Sequence, residues 1–313
     1  MDFSELKEKA EEIRRLWGEN DAKRDAGQET PDDIVRYDDI PYGKTALSVS
    51  HGAQVVNGKQ WNLLDVYKPK GEDDVKYPVI VSVHGGAWVY GTKEVYQYYC
   101  MKLAGRGFAV VNFNYRLAPE NKFPSSLEDT CAVFRWIEEN ADKYGLDKEN
   151  VFAVGDSAGA HLLSLYADFA SNEKFAARFS FKAPENIKLK AIALNCGKYK
   201  MDEGLEEEED AEWLLEALLK DGGSKDEFKM INSPALVTEK YPKVFLMTCT
   251  GDFLKDQAKF MVFALEKNSV EFNYHFYGSK DSVLGHVFHC DPRLPEAVEC
   301  NDEEVAFFRK FIG

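Results

Sequence analysis

The stretch Val151-Phe152-Ala153-Val154-Gly155-Asp156-Ser157-Ala158-Gly159-Ala160 decides how this chain folds. Four apolar residues read as a strand buried on both faces. A Gly-x-Ser-x-Gly pentapeptide follows, and Ala160, Leu162, Leu163, Leu165 and Tyr166 then recur in a helical pattern. Strand, sharp turn and helix in that order make a nucleophile elbow. The turn holds Ser157 in a strained conformation, and the small residues at 155 and 159 let strand and helix approach closely. A helix N-terminus then points at the reacting carbonyl, where the Ala158 amide can donate to a developing oxyanion. A glycine-rich turn with an idle serine is the plain alternative, so the flanking chain has to decide.

Outward from the elbow, short β-branched runs alternate with helix-period stretches. The sequence predicts strands over 79–83, 108–113, 151–154, 189–194, 244–248 and 270–276, with 60–67 as an antiparallel edge. That alternation is the signature of a parallel sheet covered by helices, the α/β class. Leu127, Cys131, Phe134 and Ile137 mark a helix after Ser126, which Asp129 suggests as its N-terminal cap.

Two regions fall outside the alternation. Phe3, Leu6, Ala10, Ile13 and Trp17 form an amphipathic helix, and residues 1–50 are expected to cap the catalytic domain at 51–313. The polar face of that helix mixes bases with as many acids, which favours packing on the protein over lying on a membrane. Residues 197–239 are an insertion expected to complete the cap. Eight acidic residues and no base lie between Asp202 and Glu212; such a run is ordinarily a solvated face, and at the mouth of a site it would repel anionic substrates.

The 313 residues are 44% hydrophobic, enough for a sizeable core, and carry 39 basic against 54 acidic side chains, a formal net charge of −15. That balance argues against nucleic acid or an anionic membrane as partner. No apolar run is long enough for a membrane span, and the charged start does not read as a signal peptide. The six cysteines, Cys100, Cys131, Cys196, Cys249, Cys290 and Cys300, form no CxxC pair and read as reduced thiols in a cytoplasmic protein.

Upstream, His84-Gly85-Gly86-Ala87-Trp88 follows the strand at 79–83. Adjacent glycines present amides where a Cβ would obstruct, so Gly85 and Gly86 are assigned to an oxyanion hole with Ala158. His84 is read as fixing the loop. Trp88 and Tyr90 are candidate walls of the substrate pocket. Downstream, the fold orders its partners Ser, Asp, His. Asp252, in a turn directly after the strand at 244–248, is the candidate acid, with Asp256 as competitor. His286, in the loop after the last strand, is the candidate base, with His289 as rival; His51, His161 and His275 fit less well. His286, His289 and Cys290 lack a matching second group and make a poor zinc site, so neither metal nor cofactor is expected.

Together these residues resemble the hormone-sensitive-lipase-like esterases of the α/β-hydrolase fold, from about Trp61 to the end. The block Tyr115-Arg116-Leu117-Ala118-Pro119-Glu120, continued by Phe123-Pro124, carries the resemblance most specifically. The resemblance implies a mostly parallel sheet with helices on both faces and a helical cap, the triad Ser157, Asp252 and His286, and cofactor-free hydrolysis of short-chain carboxylic esters. Ala87, Ala160 and Val287 depart from glycines usual in that family. The first departure shifts the likeness toward His-Gly-Gly-Ala-Trp esterases, some of which remove acetyl groups from sugars.

The expected chemistry is acyl transfer to Ser157 from a small-molecule ester, with His286 as base and Asp252 holding its tautomer. Two alternatives remain at this point: an amide hydrolase of the arylformamidase type, and a non-catalytic ligand receptor on the same fold. The assembly is open between a monomer and a homodimer.

Overall fold

The computed structural model describes residues 1–43, 55–56, 59–71, 75–203 and 211–313. His51 and the acidic run 206–210 lie outside the described residues. Eight strands form the main sheet: β1 (Ile34–Pro41), β2 (Leu63–Pro69), β3 (Tyr77–Val83), β4 (Ala109–Phe113), β5 (Leu146–Asp156), β6 (Leu189–Asn195), β7 (Lys243–Cys249) and β8 (Phe272–Tyr277). Their order is β1-β2-β4-β3-β5-β6-β7-β8. Only the β1·β2 and β2·β4 pairings are antiparallel; the other pairings run parallel.

All residues of β4 are buried, as are the last five of β3. Continuous apolar runs of this kind are what strands covered on both faces require. On one face α3 (Ser125–Tyr144) meets α4 (Ala158–Ser171), with Phe134 stacked on Tyr166 at 4.1 Å. On the other, α2 (Lys93–Ala104) and α8 (Pro295–Arg309) cover the sheet, and Phe152 of β5 stacks on Phe308 at 4.9 Å. The α/β class read from the sequence is the class observed.

Two expectations change. The sequence predicts 60–67 as the sheet edge, but β2 is covered by β1, whose residues lie inside the expected cap of 1–50. A boundary at 50 therefore cuts the sheet. The strand hid because it is an edge: of Ile34 to Pro41 only Ile34 is buried, so no apolar alternation marks it. Asp39, at φ +55°, also interrupts its register. The second change concerns α3, which starts at Ser125 after Pro124 without a side-chain cap. Asp129 is not part of a cap there. It accepts from the backbone and Nε of buried Arg116 at 2.8 and 3.0 Å, so the Tyr-Arg-Leu-Ala-Pro-Glu block is a structural clamp.

The N-terminal helix α1 (Phe3–Asp25) is capped by Asp2 and Glu5 and lies over the loop after β3. Leu6 and Ala10 pack with Val89, Tyr90 and Ala118 and with Trp213 and Ala217 of α5 (Ala211–Leu218), a helix of the 197–239 insertion. Arg14 ties the assembly down, donating to the Val89 carbonyl at 2.8 Å and pairing with Glu120 at 2.8 Å. Phe3 and Trp17, expected on the apolar face, remain partly in solvent.

Candidate active site

The carboxyl ends of β3, β5, β6 and β7 converge on one point, and the turns leaving them carry the site. At the elbow, Ser157 has φ +53° and ψ −121°, a strained conformation for a residue with a Cβ. Two backbone contacts explain why it persists. A Cβ on Gly155 would lie 2.6 Å from the Gly159 carbonyl, and one on Gly159 would lie 2.1 Å from the Val83 carbonyl. Strand and helix thus meet at backbone distance, and Ser157 is forced outward. Its N–H donates to the Asn195 carbonyl at 2.9 Å, while Asn195 Nδ2 donates to buried Glu304 at 2.8 Å.

Asp252 is buried at the end of β7, and its Oδ1 accepts from His286 Nδ1 at 2.7 Å. Thr248 Oγ1 donates to Oδ2 at 2.6 Å, and the Leu254 amide donates to Oδ1 at 2.8 Å. Burial alone would raise this carboxyl, but the hydrogen bonds and the charge of His286 outweigh it and hold Asp252 below its ordinary value. A carboxylate so held stays ionised and fixes the imidazole with its proton on Nδ1. Asp256, the competitor, is exposed on the 3-10 turn at Lys255–Gln257. The sequence signals Thr248 only as a buried polar residue near the end of β7, four residues before Asp252.

His286 is partly exposed and carries the Phe253 ring at 4.4 Å. Its loop is tied to β7 by the Gly251 amide, which donates to the Leu284 carbonyl at 2.8 Å. Val287 takes φ +54°, which accounts for glycine being usual there in the family that the sequence resembles. His289 points elsewhere: it is fully buried, edge-on to Tyr99, and burial pushes it down to about 3. His84 and His161 are likewise pushed down to about 4 by burial. His84 Nδ1 meets the Gly85 carbonyl at 2.8 Å, the loop-fixing role expected of it. His275 sits in β8 beside Glu303.

The oxyanion assignment needs one correction. The Gly85 N–H donates to Tyr96 Oη at 2.9 Å, and Tyr96 in turn donates to Asp156 at 2.7 Å, so Gly85 is spent on bracing the elbow. Gly86 and Ala87, at φ +121° and +49°, turn the loop. Among the described residues neither of their amides has a protein acceptor, and the Ala158 amide, first in α4, has none within its helix. Burial raises the Asp156 carboxyl to about 6, partly offset by Tyr96.

The two candidate pocket walls, Trp88 and Tyr90, have hydrogen-bond partners of their own. The Trp88 indole N–H donates to His161 Nδ1 at 3.2 Å, and the Tyr90 hydroxyl donates to Asp21 of α1 at 2.6 Å. Both side chains are buried. They hold the loop in place.

Among the described residues two triplets of metal-binding side chains have donor atoms within 4.8 Å of one another: Asp156, His289 and Cys290, and Cys196, Asp252 and His286. His286 and His289, three residues apart in sequence, thus belong to different triplets. All six cysteines are buried and unbridged. Ser157 Oγ makes no hydrogen bond to His286 among the described residues. In substrate-free sites that bond is often long and tightens only when the substrate arrives.

The chain is similar to known esterases in sequence and in fold. The BD-FAE family model matches residues 64–260, from β2 into α7 (Ala258–Lys267), and so takes in the loop, the elbow and Asp252. Esterase LipC of Mycobacterium tuberculosis is 34% identical over 37% of this chain, but that match spans only 29% of LipC. The versiconal hemiacetal acetate esterase of Dothistroma septosporum is 26% identical, over 74% of this chain and 72% of its own length. Among solved structures, esterase B of Lactobacillus rhamnosis superposes with a TM-score of 0.87 over 99% of this chain and 96% of its own. At 24% identity that likeness establishes the α/β-hydrolase fold.

Proposed function

The chain belongs to the BD-FAE family, and from that premise we propose that it hydrolyses carboxylic esters of small molecules through an acyl-enzyme on Ser157. The observation that carries the reading is the 2.7 Å bond between buried Asp252 and His286 Nδ1, set beside a strained, outward-turned serine. With Nδ1 bonded to a carboxylate, Nε2 is the free acceptor that takes the Ser157 proton as Oγ attacks the carbonyl. Charge then develops on the carbonyl oxygen, where the amides of Gly86, Ala87 and Ala158 are the donors; each is worth roughly 100- to 1000-fold in rate. His286 returns the proton to the leaving alcohol, and water repeats the cycle on the acyl group.

The helices α1 and α5, which pack with the loop at Val89 and Tyr90, are read as the cap, and short acyl groups, acetyl included, as the preferred substrates. A reducing, cytoplasmic setting suits six unbridged thiols. Among the described residues no helix is long and apolar enough to cross a membrane.

The test is a panel of p-nitrophenyl esters of increasing acyl length, with an aryl formamide and acetylated sugars beside it and Ser157→Ala as control. Fastest turnover on short esters, absent from the control, supports the reading. Turnover of the formamide alone would replace it with the amidase reading.

A further inference from the structure

The proposed chemistry gives Cys196 no task, yet its placement is costly. It leaves β6 with φ +49° and is 1% exposed, a strained backbone for a residue with a Cβ. Its N–H stays on the Met247 carbonyl at 2.8 Å, so the strain is locked in by β7. The turn brings Cys196 Sγ, a carboxylate oxygen of Asp252 and a ring nitrogen of His286 within 4.8 Å of one another. Cys196 Sγ lies 3.8 Å from Met247 Sδ, and a second thiol, Cys249 at the end of β7, donates to the Leu284 and Gly285 carbonyls at 3.2 Å.

A thiolate, an imidazole and a carboxylate are donors that Zn²⁺ accepts, with tetrahedral geometry and water or a further thiolate in the fourth position. Two light-atom ligands at about 2.05 Å from a tetrahedral ion stand roughly 3.3 Å apart. The Asp252–His286 pair is at 2.7 Å, so it must part by only about 0.6 Å to admit the ion. His286, with 19% of its side chain exposed, is the partner free to move and the side from which an ion enters. The other triplet, Asp156, His289 and Cys290, is buried at all three members.

We propose that Cys196, Asp252 and His286 form an inhibitory site for Zn²⁺ and similar soft divalent cations, an inference that rests on the triad reading above. The balance is simple. The Cys196 thiol gives up its proton to water as the metal–sulfur bond forms. The His286 Nδ1 lone pair binds the ion, and the proton that Nδ1 carried moves to Nε2. The Nδ1–Asp252 hydrogen bond is lost and replaced by two bonds to the metal. Nε2, now protonated, has no lone pair left for the proton of Ser157, so the base is switched off while the fold stays intact.

The experiment takes the full chain freed of metal with a chelator and titrates it with Co²⁺, reading the thiolate-to-cobalt charge-transfer absorption. In parallel, Zn²⁺ is titrated against p-nitrophenyl acetate turnover and then removed by chelator. The wild-type chain is expected to bind one Co²⁺ with the thiolate band, to lose at least tenfold in rate at saturating Zn²⁺ and to recover it. Cys196→Ala is expected to hydrolyse the ester at the wild-type rate, to lack the band, and to need on the order of 100-fold more Zn²⁺. Cys196→Gly, which relieves the strained backbone, guards against misfolding of the alanine variant. Absence of the thiolate band in the wild-type chain, or undiminished Zn²⁺ sensitivity in a folded Cys196 variant, overturns the proposal. The cobalt spectrum needs no turnover, so a chain that binds Co²⁺ through Cys196 but cleaves no ester would sink the esterase reading separately.

Discussion

The elbow at 155–159 and the base loop around His286 each place one reactive atom, by opposite means. The elbow is held by backbone against backbone: Gly155 against Gly159, Gly159 against Val83, and the Ser157 amide on Asn195. The base loop is held by a side-chain bond, His286 to Asp252, with Gly251 and Leu284 anchoring its root. Strain marks both, at Ser157 and at Val287. The proposed nucleophile therefore sits in a rigid frame that tolerates no added atom, whereas the proposed base sits on an adjustable one whose position depends on a single carboxylate.

That contrast breaks most sharply at the proposed catalytic side chains. His286→Ala removes the base outright, and kcat is expected to fall on the order of 10⁶-fold, as in a serine-protease triad. Asp252→Ala leaves the imidazole present but unoriented, and a fall on the order of 10⁴-fold is expected. Equal losses in steady-state assays would mean that the carboxylate does more than orient.

Gly159→Ala probes the rigid side without touching a reactive group. Its methyl would meet backbone carbonyls at 2.1 and 2.5 Å, and backbone cannot swing aside as a side chain can. Displacing Ser157 by about 1 Å costs on the order of 100-fold in kcat/KM, with about 1–3 kcal/mol of stability from overpacking. Wild-type kinetics in a folded Gly159→Ala chain would contradict the close-approach account.

These two supports differ in how far the sequence reveals them. The elbow is written locally, as five residues between a strand and a helix, so Ser157 and its setting were readable. Asp252 and His286 were readable only through chain order, and choosing between His286 and His289 needed the burial that sends His289 to the back of the site. Contacts that depend on distant segments were not legible: Tyr96 taking the Gly85 amide, Thr248 bracing Asp252, and α1 claiming Tyr90. Strand β1 was missed because an edge strand with one buried residue shows no pattern. The sequence suggested amides at the glycines, but which amide is free depends on Tyr96, eleven residues beyond Gly85.

The last expected effect lies behind the elbow and reads on stability alone. Burial raises the Glu304 carboxyl to about 7 from an ordinary 4.5. The unfolded chain releases this proton near 4.5 and the folded chain only near 7, so between those values rising pH favours unfolding and stability falls. Above pH 7 the loss amounts to roughly 3 kcal/mol. Glu304→Gln removes it, so denaturant melts at pH 5 and pH 8 should differ less in the variant than in the wild type. An unchanged difference would show that Glu304 is not the group responsible.

The central claim is that Ser157 is the nucleophile and that the folded site activates it. The direct measurement is treatment of the native chain with a fluorophosphonate probe, followed by mass mapping of the modified peptide. The account predicts one adduct per chain, on Ser157, lost in Ser157→Ala and strongly slowed in His286→Ala. A folded protein that takes no label, or takes it on another residue, would contradict it.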